Sequence, residues 1–103
     1  MKMNSKQMQI QIMERATQNE ILDIICTLET KLQNVTEKLL TEKLDKNTQY
    51  DLELIETLYN LDLNKMWTIY ETIEDNGIRH MNSSEITTMY HDIQKMIQTY
   101  LLN

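Results

Sequence analysis

The residues best equipped for chemistry are few: His80, His91, the lone Cys26, and the carboxylates Glu74, Asp75, Glu85 and Asp92. An imidazole joined by carboxylates is a donor set for zinc or another divalent ion, provided the spacing puts the donors on one helix face or loop. Here the two histidines flank an expected loop-to-helix change, with no HExxH, paired ExxH or cysteine–histidine spacing. The expectation is no metal and no other cofactor, with both histidines on the surface and His91 partly buried beside the inward Tyr90.

A nucleophilic thiolate needs a neighbouring base or cation, and near Cys26 the sequence offers only Asp23. Cys26 therefore reads as a small hydrophobe on a packed helix face, beside Ile25 and Leu28. No pair of carboxylates shows the separation or contrast in environment that general acid and base roles require. No catalytic residue is assigned, and the chain is not expected to be an enzyme.

Charge limits the partners. The net charge is −6, and the whole excess lies after Lys46: residues 1–46 carry seven acidic and seven basic groups, residues 47–103 nine and three. An acidic chain is repelled by phosphate backbones and anionic lipid, and no basic recognition helix, zinc finger or aromatic single-strand platform offsets this. Neither direct nucleic-acid binding nor membrane binding is expected. The single cysteine suits a reducing compartment. With no apolar tract long enough to span a bilayer and no signal-peptide core after MKMNSKQMQ, cytoplasmic residence is the expectation.

The elements that would position any site are helical. Among 103 residues there is one glycine, no proline and no phenylalanine, and methionine, isoleucine and leucine supply most bulky apolar groups. Ile21, Ile25, Leu28, Leu32, Val35 and Leu39 recur in steps of four and three, which draws one apolar edge along a helix, broadened by Ile24 and Leu40. Beyond the polar turn at 45–49, Leu52, Ile55 and Tyr59 begin a second edge that resumes at Leu63, Met66, Tyr70 and Ile73. Leu54, Leu58 and Leu61 form a further strip. The Asn- and Asp-containing NLDLN at 60–64 competes for backbone hydrogen bonds, yet the pattern favours an unbroken helix.

The stretch EDNGIRHMNSSE, residues 74–85, reads as a connection. Asn76-Gly77 ends one helix, Asn82 caps the next with Glu85 three residues on, and Met81 with Ile86 forms a hydrophobic staple. Ile86, Tyr90, Ile93, Ile97 and Tyr100 trace the inward face of a third helix, reinforced by Met89 and Leu101. Helices are thus predicted near residues 18–46, 49–76 and 83–102, with 1–17 a flexible or short helical arm and 18–103 a compact interaction domain. The fold class is all-α: an elongated three-helix bundle, or a helical hairpin with a third helix. A homodimer is expected as well, the strips at 21–39 and 52–73 packing partly within one chain and partly between two.

Function then points to recognition. Tyr50, Tyr59, Trp67 and Tyr70 offer large contact areas, with Asp51, Asp62, Glu71 and Glu74 as directional polar partners. Trp67, Glu71 and Glu74 share one helix side and form the candidate protein interface, suited to a protein with a basic or mixed apolar–basic surface. The length and the Asn, Ile, Lys and Tyr-rich composition favour an accessory inhibitor from a phage or mobile element. The alternative is a structural or assembly subunit acting through helix-mediated oligomerisation.

Overall fold

The computed structural model describes residues 4–102, and among these all regular structure is helical. The first helix, α1, spans Ser5–Thr41. Asn4 caps it: its Oδ1 accepts the Gln7 N–H at 2.8 Å, and its own N–H donates to Gln7 Oε1 at 3.2 Å, so two orphan donors are satisfied reciprocally. The helix passes without a break through residues 17–19, although the sequence predicts a start near 18. The Thr17 hydroxyl donates back to the Met13 carbonyl at 2.8 Å, which a residue inside a helix does and a cap does not. Residues 1–3 of the expected N-terminal arm lie outside the described residues.

At its far end α1 stops at Thr41, short of the expected 46, because Asp45 belongs to the next helix. Its carboxylate accepts the Thr48 N–H at 2.7 Å and starts α2, Lys46–Asn76. That backbone hydrogen bond, followed by one from the Thr48 side chain, holds the Asp45 carboxyl below its ordinary value. α2 runs unbroken through 60–64, as the sequence predicts.

Gly77 terminates α2 with its N–H donating to the Ile73 carbonyl at 2.9 Å. Its backbone sits at φ 76° and ψ 155°, an extended positive-φ conformation that only glycine adopts without strain. The chain then makes a single 3₁₀ turn, Ile78–His80, whose first N–H donates to Glu14 Oε1 on α1 at 2.8 Å. α3 spans Ser83–Met96 and continues into a wider π-type turn, Ile97–Leu101. Asn82 caps α3 by accepting the Glu85 N–H at 2.8 Å, while Glu85 takes the Asn82 side-chain amide at 2.6 Å rather than its backbone N–H. Met81 and Ile86, the staple pair, both pack against the core.

α1 and α2 form a long antiparallel hairpin, and α3 lies along one end of it. The buried side chains are Ile21, Ile24, Ile25 and Leu28 from α1, Met66 and Ile73 from α2, Ile78 from the connection, and Met89, Ile93 and Met96 from α3. At ~1.5 Å per residue α1 alone is about 55 Å long, and the molecule measures 62 × 25 × 24 Å. Between Leu28 and Met66 no residue is buried. Leu32, Val35, Leu39, Leu52 and Ile55 are only half-covered across the hairpin seam, and Leu40 is exposed. The inward edge expected at 21–39 is thus a core only as far as Leu28, because α3 ends before it reaches the rest.

Two consequences are measurable by urea denaturation in dilute solution. Leu28→Ala should cost about 2–5 kcal/mol, as for other large-to-small changes in a closed core, whereas Leu58→Ala should stay within about 0.5 kcal/mol. Gly77→Ala should cost about 1–3 kcal/mol for the positive φ. The added methyl would also sit 2.9 Å from Glu14 Oε1 and disturb its bond to Ile78.

Candidate protein interface

Steps of four and three residues keep Trp67, Glu71 and Glu74 on one side of α2. The structure places that side along the seam with α1, because Gln18 Nε2 donates to Glu74 Oε2 at 2.7 Å. Next along the chain, Met66 is fully buried, while Trp67 lies roughly one hundred degrees round the helix and retains 36% exposure. The indole meets the Tyr70 ring edge-on, with centroids 5.7 Å apart and planes at 81°. Such a contact fixes an aromatic side chain without burying it, which lowers the entropy lost when a partner docks on its free face.

Glu71 and Glu74 are both exposed. Near Glu74 the surface dips into an open cleft of about 520 Å³ lined by Gln7, Ile10, Glu14, Glu74, Arg79 and His80, between the start of α1 and the 3₁₀ turn. One oxygen of Glu14 is committed to the Ile78 N–H and one of Glu74 to Gln18, leaving each carboxylate an oxygen for a cationic group.

The other expected contact residues divide. Tyr50 near the hairpin tip is exposed, and so is Asp51. Tyr59 and Asp62 are occupied internally: Tyr100 donates its hydroxyl to Asp62 Oδ2 at 2.5 Å, and its ring meets Tyr59 edge-on at 6.0 Å. Burial disfavours the phenolate, and the Asp62 carboxylate accepts a hydrogen bond from the neutral phenol and repels its anion, so Tyr100 ionises well above the ordinary phenol value. This cluster pins the end of α3 to the middle of α2. Sequence reasoning placed Tyr100 on the inward face but did not pair it with Asp62, which is 38 residues away in the chain.

Two expectations are corrected. Cys26 is exposed rather than packed, since one step beyond Ile25 turns it to the back of α1. His91 is exposed, and the inward-turned Tyr90 beside it approaches Thr17, with hydroxyl oxygens 3.4 Å apart. His80 is also exposed. Among the described residues no three histidine, cysteine or carboxylate side chains are grouped to hold a metal ion, and no helix is long and apolar enough to cross a membrane. No protein-family model, curated protein or solved structure matches the chain.

The Tyr100–Asp62 contact has a pH signature. A phenol whose pKa is raised on folding contributes stability that is complete below the unfolded value of 10.0 and is lost as pH rises above it. Tyr100→Phe should therefore lower stability by about 1 kcal/mol at neutral pH. The deficit against the parent protein should shrink in urea titrations above pH 10.

Proposed function

We propose that the chain is a small acidic helical protein-binding factor that docks through the Trp67, Glu71 and Glu74 side of α2 onto a protein with a basic or mixed apolar–basic surface. The observation that carries this reading is the half-exposed Trp67 ring, braced by Tyr70 on the same seam as two exposed carboxylates. A rigid aromatic supplies contact area at small entropic cost, and carboxylates beside it select Arg or Lys and exclude acidic competitors. The acidic surplus after Lys46 supports the same choice of partner by steering basic surfaces toward α2. Occupying such a surface is a means of inhibition, in keeping with an accessory factor of a phage or mobile element that blocks a host or competing protein.

A second reading, an assembly subunit, draws on a different observation. Leu54, Leu58 and Leu61 are 47%, 58% and 59% exposed in succession along α2. Three leucines in one strip exceed the scattered apolar exposure of an ordinary surface.

The test for the Trp67 reading is affinity capture followed by variants measured for helicity and binding together. W67A and E71A/E74A should both remain helical. W67A should lower affinity for the captured partner about thirtyfold, as losing a central aromatic contact of ~2 kcal/mol does. E71A/E74A should weaken association most at low salt. Unchanged affinity in both folded variants removes this surface from consideration.

A further inference from the structure

The uncovered half of the hairpin has a geometry that names its own occupant. On α1 the stripe under α3 reads Thr17, Ile21, Ile24 and Leu28, with Thr17 touching Tyr90 of α3 at 3.4 Å. The same four-three rhythm continues toward the tip as Lys31, Val35, Lys38 and Glu42. On α2 the stripe beside α3 contains Lys65, which pairs with Asp92 at 3.2 Å, followed by Thr68 and Thr72, which share a groove with Met89. Toward the tip that stripe reads Leu61, Leu58, Leu54 and Asp51. α3 ends at the level of Asp62, where Tyr100 is anchored, and closes in the exposed Leu101 and Leu102. The lane that α3 occupies at one end of the hairpin is therefore open at the other, floored by leucines on α2 and edged by charges on α1.

We propose that this open half is a homodimer surface, covered by the same half of a second copy lying antiparallel to it. The proposal deepens the assembly reading and is independent of the Trp67 seam, which faces away from α3.

Three features favour a second copy. The first is self-complementary spacing. Thr36 donates to Glu56 across the hairpin at 2.7 Å, so these residues mark one level of both helices. Turning a second copy about that level sets its Glu42 against Lys31 and its Leu58 against Leu54, and the reverse pairs follow by symmetry. The second feature is charge: each Lys31 on the α1 edge meets a Glu42 of the other copy, with Lys38 opposite Val35, while the α2 strip supplies the apolar centre. The third is size. The open face is about 25 Å long and about 20 Å wide, given ~1.5 Å per residue and helices ~10 Å apart. That extent lies at the low end of specific interfaces, the range of reversible rather than obligate dimers.

Sedimentation of the full chain from low to high micromolar concentration provides the test, with helicity recorded for every variant. The parent chain should pass from monomer to dimer. L54S/L58S replaces two exposed side chains, so it should stay folded and weaken association by about tenfold or more. K31E and E42K should each weaken it, and K31E/E42K should recover the parent value because the pair is exchanged across the interface. A parent chain that remains monomeric throughout, or a dimer unaffected by L54S/L58S, overturns the surface. Failure of the exchanged pair to recover association overturns the antiparallel arrangement. W67A should dimerise like the parent, so this outcome is read separately from partner capture.

Discussion

The structure depends on a mismatch of length. α3 with its final turn closes a three-helix core over Ile21, Ile24, Leu28 and Met66, but α1 and α2 extend well beyond it. A helix pair without a third layer has no interior, so its seam residues are only half-covered while their counterparts under α3 are buried. One short helix thus divides a uniform hairpin into a closed half and an open half.

Polar anchors fix where that division falls. Tyr100 reaches Asp62 and Tyr59 through the widened last turn of α3, and Lys65 meets Asp92 one turn of α2 further in. At the opposite end Glu14 receives the Ile78 N–H and Gln18 reaches Glu74, tying the connection to α1. With both ends held, α3 is not free to slide toward the tip and cover the leucines there. Trp67 stands at the outer edge of the α1–α2 seam, on the side of α2 turned away from α3.

Two surfaces of different chemistry follow. The Trp67 seam presents one braced aromatic ring beside carboxylates, a pattern suited to a basic partner. The open half presents leucines flanked by both signs of charge, a pattern suited to a like surface. They lie on separate sides of α2, so occupation of one leaves the other accessible.

Much of the helical architecture was legible in the sequence because it rests on local physics. The four-three spacing of Ile21, Ile25 and Leu28, the glycine at 77 and the cap at Asn82 each act within a turn or two of chain. The caps at Asn4 and Asp45 are equally local and were written in the sequence, although the expected boundaries at 18 and 49 passed over them. Periodicity does not reveal whether an apolar strip will meet another part of its own chain. Leu28 and Val35 stand on the same stripe, yet only Leu28 is buried, since α3 covers one and ends before the other. Tyr100 owes its surroundings to a helix far away in sequence, whereas Cys26 and Trp67 are set by their positions round their own helices. Local hydrogen bonding determined the helices, whereas the reach of the third helix decided which of their faces became core and which remained open.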